Sequence, residues 1–451
     1  MQPVSATEVF TPNAFPALNY VTREKDFDGQ VKNGLRTPGI VISVSGPSKS
    51  GKSVLLQMVA GKDNLIRVFG AQIKRAEDVW TVALDWMDSP TARITQSGTN
   101  ETKTTAGGGS VSVGVPGVLA AGGQGGYSQA RGSSAADAVS RGRGGMAQVA
   151  RDIGNSDYVL FVDDFHYMSR DLQAEVAKQL KAAAEVGIKS CVANVPHGAD
   201  DVVRANPELR GRVQAIDMEY WTDGELEKIG LDGFPHLNMV IDPSFIHRLA
   251  VEACGSPQLM QVLCLQTCFS LSVYETLAEK KQFLPNQQNF QQILASTATH
   301  ADSSTLVETL HGGPKTHGMD RSQYLFNDGT EGDVYRAVLL AIASDPPIMS
   351  LPYRDVVSRV NAVCNGRAPS GRNVSDACEQ ISRLASKTVR ANSVVEAAPP
   401  IEWDKSTDPG NLHLVEPYFL FYLRSSPILR TLGRKGPNAS DANPAQEQIP
   451  L

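Results

Sequence analysis

A run of eight residues early in the chain places two glycines, a lysine and a serine at the spacing of a phosphate-binding loop. Glycines let the backbone curl so that successive N–H groups point at phosphate oxygens, and a following helix adds its positive end. In this pattern, G-x-x-x-x-G-K-[ST], the lysine contacts the β- and γ-phosphates and the hydroxyl binds Mg²⁺. The sequence therefore predicts a nucleoside triphosphate site with Lys52 and Ser53 in these roles, and as binding residues Gly46, Pro47, Ser48, Lys49, Ser50, Gly51, Lys52, Ser53 and Val54.

The segments on either side of this loop are those that a phosphate site requires. An apolar, β-branched segment at 39–45 precedes it, and residues 54–60 have helical spacing. Strand, glycine loop and helix in that order make the motif specific. The alternative is a plain glycine turn between a strand and a helix.

Two aspartates follow a second apolar segment. Residues 158–162 have the character of a buried strand, and Asp163 and Asp164 come directly after it. In P-loop ATPases a carboxylate at the end of a neighbouring strand holds Mg²⁺, and a second acid activates the attacking water. We therefore predict Asp163 as a metal ligand and Asp164 as the catalytic base, with an ordinary turn as the alternative. For His166 we expect a capping or packing role, with contact to the γ-phosphate as the alternative.

The composition is that of an ordinary soluble globular protein. The chain has 451 residues, 41% of them hydrophobic, and a formal net charge of −6. This length predicts two to four domains, and the charge lacks the basic excess typical of nucleic-acid binders. Six scattered cysteines predict buried thiols in a reducing cytoplasm, with neither zinc nor disulfides. Without a signal pattern or a long apolar run, we expect a cytoplasmic protein and no membrane partner.

The first part of the chain, 1–218, alternates strand-like and helical segments. This alternation predicts an α/β fold, a P-loop parallel sheet with helices on both faces and the ligand at the carboxyl ends of the strands. A Gly-rich insertion at 97–157 interrupts it, since fourteen of the 39 glycines lie between positions 98 and 145. We expect a disordered surface loop there, or a hairpin around 111–121 that orders in an assembly, before helical character returns at 135–153.

The rest of the chain is mainly helical. Residues 219–298 are predicted to form a helical lid and 299–330 a linker. Within 331–430, three helices (334–343, 353–363 and 374–389) precede two strands (401–404 and 412–415), which is the order of a winged helix-turn-helix domain. An aromatic helix at 417–423 follows. The tail, 431–451, is rich in Pro, Asn and Gln and is expected to be disordered.

Over residues 15–430 the sequence resembles the AAA+/STAND group of P-loop ATPases with a C-terminal winged helix. The resemblance implies an entry motif around adenine, formed by Tyr20, Val21 and Arg23. It implies that Asn194, at the end of a strand, senses the γ-phosphate, and that Pro257 belongs to the lid motif that meets the nucleotide. An arginine that reaches a neighbour's site is implied at Arg210 or Arg212. The Asp-Asp pair and Pro257 favour STAND proteins.

The resemblance implies an ATPase with ATP and Mg²⁺ as cofactors, and two classes of function. One is a nucleotide-dependent, homo-oligomeric switch in bacterial signalling or anti-phage defence, acting through a separate effector protein. The alternative is a DNA-handling ATPase that binds duplex through 367–390, where five basic residues lie: Arg367, Arg372, Arg383, Lys387 and Arg390. Residues 333–430 hold 11 Lys and Arg against 10 Asp and Glu, a net of +1, which favours the switch.

Overall fold

A five-stranded parallel sheet forms the centre of the N-terminal half. The computed structural model describes residues 3–89, 144–195, 209, 211–315, 321–392, 399–405 and 409–435, and the backbone of 92–98 and 136–142. The first seven strands in chain order are β1 (Val41–Ser45), β2 (Leu65–Phe69), β3 (Ala92–Gly98), β4 (Ala136–Gly142), β5 (Val159–Asp163), β6 (Lys189–Asn194) and β7 (Val213–Asp217). The sheet order is β2-β5-β6-β1-β7, and every neighbouring pair is parallel.

Helices cover both faces of this sheet. The helices of this half are α1 (Ala6–Val9), α2 (Phe27–Arg36), α3 (Lys52–Ala60), α4 (Asp78–Trp86), α5 (Gly145–Ile153) and α6 (Arg170–Glu185). Because successive strand residues point to opposite faces, Val159 and Phe161 of β5 pack with α2 and α3. Leu160 and Val162 pack with α4, α5 and α6. The predicted α/β class, with helices on both faces, is confirmed.

The parallel register brings several polar residues to one edge of the sheet. Ser45 at the end of β1 lies opposite Asn194 and Asp217, and Phe69 lies opposite Asp163. The sequence suggested that β5, which carries Asp163, is a direct neighbour of β1, the strand that precedes the loop. In the structure these two strands are not adjacent. Strand β6 lies between them, because the chain order of strands does not determine their order in a parallel sheet.

Part of the insertion forms a hairpin. Strands β3 and β4 pair antiparallel over seven residue pairs, from Ala92↔Gly142 to Gly98↔Ala136. The helix predicted over 135–153 is therefore wrong in its first part, since pairing with β3 satisfies the backbone there, and is found as α5 in its second. The hairpin considered around 111–121 lies outside the described residues.

The helical region after the sheet contains α7 (Asp223–His236), α8 (Pro243–Glu252), α9 (Pro257–Ser270) and α10 (Gln287–Ala298), with the short strands β8 (Met239–Ile241) and β9 (Lys281–Phe283). Helix α7 begins with the expected capping box, in which Thr222 and Glu225 each accept the other's backbone N–H. Helix α1 packs into this core rather than against the sheet, and the rings of Phe10 and Phe234 lie 5.0 Å apart.

The C-terminal region has two small sheets packed on helices. Its elements are α11 (Ser304–Gly312), β10 (Tyr324–Leu325), β11 (Thr330–Gly332), α12 (Val334–Ala343), β12 (Ser350–Pro352), α13 (Tyr353–Val363), α14 (Gly371–Asn392), β13 (Ile401–Asp404), β14 (Asn411–Leu414), α15 (Pro417–Ser425), α16 (Ile428–Leu432) and β15 (Arg434–Lys435). The sheets have the orders β12-β14-β13 and β10-β11-β15. The helices predicted at 334–343 and 353–363 have the observed bounds, and the predicted strand pair is β13 and β14.

Two segments expected to be loosely organised take part in this packing. In the predicted linker, 299–330, Val307 and Leu310 of α11 are fully buried. At the start of the predicted tail, β15 pairs with β11; residues 436–451 lie outside the described part. In α11, apolar residues lie between the polar residues that suggested a linker. Because these apolar residues are buried, packing stabilises the helix where its intrinsic helix propensity does not.

The lid and the C-terminal region share one continuous hydrophobic core. Arg424 of α15 also donates to Glu252 of α8 through two hydrogen bonds of 2.8 and 3.1 Å. The division of the chain into domains at 298 and 330 stays a prediction. Within the described residues, every helix is too short or too polar to cross a membrane.

Candidate nucleotide site

The loop between β1 and α3 has the backbone that phosphate binding needs. Gly51 has φ of +92°, a left-handed conformation that favours glycine, and α3 begins at the next residue. At Gly46 an added Cβ would lie 2.8 Å from both Cβ and O of Met218, so only glycine fits this close approach. One pocket, here called the phosphate pocket, is lined by residues 48–54 together with Arg67, Asp163, Asp164 and Glu416. The start of α3 adds the positive end of a helix to it.

The ammonium group of Lys52 lies within this loop. Its Nζ donates to the carbonyl oxygens of Gly46 at 2.8 Å and Pro47 at 2.7 Å. Burial lowers the pKa of Lys52 to about 8, and the charges of Asp163 and Asp164 oppose that shift. The two loop carbonyls thus fix the position of the ammonium group.

The two aspartates have different surroundings. Ser53 Oγ donates to Asp163 Oδ2 at 2.8 Å, which brings the two predicted Mg²⁺ ligands together. Asp164 adopts a left-handed backbone, with φ of 54°. Burial raises the pKa of its carboxyl, and the neighbouring charge of Asp163 adds to the effect. A carboxylate of raised pKa beside the two predicted metal ligands suits a general base.

The Asn194 side chain is an unsatisfied amide next to the loop, although it is not among the described residues that line the two pockets. Its side chain is fully buried, and neither Nδ2 nor Oδ1 has a hydrogen-bond partner among the described residues. Buried amides are nearly always hydrogen-bonded. Its backbone carbonyl accepts from Gly46 N–H at 3.2 Å, so this unsatisfied amide lies beside the phosphate loop. A phosphate oxygen or a water would satisfy it.

His166 also lines the phosphate pocket. Its Nδ1 is buried with no hydrogen-bond partner in the described part of the chain. Burial lowers the pKa of its imidazole to about 4, and the charge of Lys52 adds to the effect. The ring is therefore neutral at pH 7, and it packs against Tyr167 with centroids 4.4 Å apart.

A second, more apolar pocket adjoins the loop. It is lined by residues predicted from the entry motif, the phosphate loop and the lid motif, together with Trp221, which the sequence did not single out: Tyr20, Val21, Arg23, Val54, Trp221 and Pro257. The Tyr20 hydroxyl donates to Asp28 at 3.1 Å. The Trp221 indole N–H donates to the Ser50 carbonyl at 2.9 Å and so joins the lid to the loop. Aromatic and aliphatic walls of this kind suit a planar base.

Arg23 lies in the wall of this pocket, but its donors point toward the lid. Nε and Nη2 donate to the buried Glu225 carboxylate at 3.1 and 2.9 Å. The backbone carbonyls of Glu219 and Tyr220 accept at 2.8 and 3.0 Å. Its guanidinium also lies over the rings of Phe27 and Trp221. Arg23 therefore fixes the lid against the pocket.

Arg212, one of the two candidate arginines, is not at the site of its own chain. Arg212 precedes β7, and its carbonyl accepts from Val41 N–H at the start of β1. It thus lies at the edge of the sheet opposite Asn194 and Asp163, where it pairs with Glu185. Arg210 lies outside the described residues.

Two further charged groups reach the phosphate pocket without having been predicted. Arg67 of β2 pairs with Asp163, and Glu416 reaches the pocket from the C-terminal region. A charged residue in the middle of the apolar segment 65–69 was a visible signal for Arg67. Glu416 gives no local signal, because it lies 367 positions from the loop lysine Lys49 with which it pairs.

Sheet, loop and acid pair together define the chain as a P-loop α/β protein. No family model and no curated protein matches it. Solved structures similar to it include Cdc6p from Pyrobaculum aerophilum, at 13% identity over 94% of this chain and 98% of that one, with a TM-score of 0.40. The Aeropyrum pernix ORC2 protein, in ADPNP–ADP complexes, is 9% identical over 94% of this chain and 98% of that one, with a TM-score of 0.45. The Thermotoga maritima RuvB Holliday junction branch migration motor is 12% identical over 66% of this chain and 79% of that one, with a TM-score of 0.38. Likeness this weak carries no argument about function.

Replacing Lys52 tests whether this loop binds phosphate. We expect Lys52→Ala to lower ATP affinity about 100-fold or more, the loss expected for two charge-assisted hydrogen bonds. Lys62→Ala, at an exposed lysine just after α3, is the matched control and should bind as the wild type does. Isothermal titration calorimetry on both folded variants checks this. Unchanged affinity in Lys52→Ala would remove the phosphate site.

Replacing Asp164 separates binding from turnover. Asparagine tolerates the left-handed backbone at this position, so Asp164→Asn should keep the fold and bind ATP. Because a general base contributes about 10²-fold or more, hydrolysis should fall by that factor. Phosphate release and nucleotide binding are measured on the same preparation. If Asp163→Asn stops turnover and Asp164→Asn does not, the two roles are reversed.

Proposed function

We propose that this chain is an ATP-binding and ATP-hydrolysing molecular switch that oligomerises in a nucleotide-dependent way and acts through a separate effector protein. ATP fits the pair of adjoining pockets, one apolar and one lined by loop amides and Lys52. Ser53 and Asp163 would hold Mg²⁺, which supplies positive charge at the phosphates. Asp164 would take the proton of the attacking water, and Asn194 would hydrogen-bond the terminal phosphate.

The observation that carries the switch proposal is a direct contact between the phosphate loop and the C-terminal region. Lys49 Nζ lies 3.1 Å from Glu416 Oε1 and 4.1 Å from the centroid of the Tyr418 ring. Pro400, Val415 and Glu416 form part of the phosphate-pocket wall. Phosphates that enter this pocket meet the C-terminal region itself, so nucleotide occupancy is coupled to its position.

The lid supplies a second link of the same kind. Tyr220, between β7 and α7, donates from its hydroxyl to the Leu414 carbonyl at 2.8 Å. Trp221 beside it donates to the loop carbonyl of Ser50. Because the lid and the C-terminal region share one core, a shift of either at the nucleotide is expected to move both.

Duplex binding remains a second candidate because of the surface of α14. Arg372, Arg383, Lys387 and Arg390 are exposed, and their spacing places them along one stripe of the helix. Acids interrupt this stripe, however, and Glu379 pairs with both Arg383 and Lys405. Duplex binding by the full chain that weakens steeply with salt would favour this candidate over the switch.

Removing the Glu416 charge tests the coupling. A carboxylate in the wall of a phosphate pocket repels the most highly charged nucleotide most, at a cost of about 1 kcal/mol for charges a few ångströms apart in water. We expect Glu416→Gln to raise the ratio of ATP to ADP affinity about fivefold, the equivalent of that energy. Competition binding measures the ratio. Glu308→Gln, on the exposed side of α11, is the control, and an unchanged ratio in Glu416→Gln would contradict the coupling.

Mixing variants tests the oligomer. Arg212 lies too far from its own phosphate pocket to act there, and an arginine supplied by a neighbour is worth about 10³-fold or more in such sites. We expect specific ATPase activity to rise with protein concentration. Lys52→Ala protein should restore hydrolysis to Arg212→Ala protein, because it can lend its arginine to an intact loop. Arg210→Ala is tested in the same way, and activity that is flat on dilution, with no rescue, would mean a monomeric ATPase.

A further inference from the structure

Arg67 is a charged residue in the middle of an apolar strand. Its neighbours Ile66 and Val68 are fully buried in the core on one face of the sheet. The Arg67 side chain points to the other face, where it lies over the rings of Phe69 and Phe161, 4.6 and 5.9 Å from their centroids. Since β2 is an edge strand, the guanidinium lies at the side of the phosphate pocket, which it lines.

This guanidinium contacts both residues predicted to hold Mg²⁺. Nε donates to Asp163 Oδ2 at 3.0 Å, and Nη2 donates to the same oxygen. Nη2 also lies 3.3 Å from Ser53 Oγ, which itself donates to that carboxylate oxygen. The Asp163 side chain is only 5% exposed, whereas that of Arg67 is 43% exposed. Arg67 thus neutralises a buried carboxylate, while its own side chain is exposed enough to move away.

These contacts occupy atoms that a bound metal would use. Mg²⁺ requires lone pairs of Ser53 Oγ and of Asp163, or of waters held by Asp163, in near-octahedral geometry. In the present arrangement Asp163 Oδ2 accepts three donors. A guanidinium so close to a dication would also be repelled by it. Arg67 and Mg²⁺ would therefore compete for Asp163.

We propose that Arg67 is a positioning residue that stands in for the metal: it neutralises Asp163 and holds Ser53 while Mg²⁺ is absent, and it sets how strongly nucleotide binding depends on Mg²⁺. This inference rests on the proposed nucleotide site. Without the Arg67 charge, Asp163 repels phosphates in the metal-free protein, and no cation competes with Mg²⁺ for it. Both effects change the metal dependence in the same direction.

The test compares nucleotide affinity with saturating Mg²⁺ and with EDTA, using full-length protein and a fluorescent ATP analogue. In Arg67→Met we expect the ratio of the two affinities to rise about tenfold or more, since a hydrogen bond to a charged group is worth about that factor. Arg67→Lys keeps the charge but not the fork, and its ratio should lie between those of Arg67→Met and the wild type. Arg75→Met, at a side chain 78% exposed, is the control and should leave the ratio unchanged.

A double variant shows whether Arg67 acts through Asp163. In an Asp163→Asn background there is no carboxylate charge to neutralise, so adding Arg67→Met should change the metal-free affinity by less than about twofold, compared with about tenfold in the wild-type background. An unchanged ratio in folded Arg67→Met, or an equal effect in both backgrounds, would overturn the inference. If the wild type binds no nucleotide in either condition, the proposed function itself fails.

Discussion

The carboxylate of Asp163 is the group on which the site depends. It receives Ser53 from the start of α3 and Arg67 from β2, so it ties the phosphate loop to the far side of the sheet. A buried charge of this kind costs several kcal/mol unless it is paired. The parallel register fixes its position, since it places the ends of β5, β6 and β1 at one edge and brings Asn194 beside the loop. A ligand that displaces Arg67 at this edge has to supply Asp163 with another positive charge.

Local chemistry is what the sequence predicts well here. The phosphate loop, the Asp163–Asp164 turn, the capping box at Thr222 and the C-terminal helices all follow from short patterns whose physical requirements are local. The order of strands could not be predicted in this way, because β6 enters between β1 and β5 through contacts distant in sequence. Arg23 shows the same limit: the resemblance implies a place beside adenine, and only the fold reveals that Glu225 takes its donors.

The packing of the segment 299–330 was hard to predict for a related reason. Polar composition at 299–330 suggested a linker, but two apolar side chains, Val307 and Leu310, are enough to bury α11 in the common core. Helix α1 packs against the lid, where Phe10, directly after the helix, contacts Phe234. Whether a segment becomes part of a core depends on the surface it packs against as much as on its own sequence. One core under the lid and the C-terminal region makes them a single mechanical partner for the sheet.

The charges of the phosphate pocket explain why nucleotide binding should be coupled to this partner. Among the described residues that line it, the cations are Lys49, Lys52 and Arg67, and the carboxylates are Asp163, Asp164 and Glu416. Two of the cations are paired across elements, Arg67 with Asp163 and Lys49 with Glu416. In the proposed function, a polyphosphate together with its Mg²⁺ would compete for the members of both pairs. One exchange takes place within the sheet and opens the metal ligands, while the other breaks a contact with the C-terminal region. Because the same ligand would drive both exchanges, the proposed function links completion of the metal site to release of the C-terminal region.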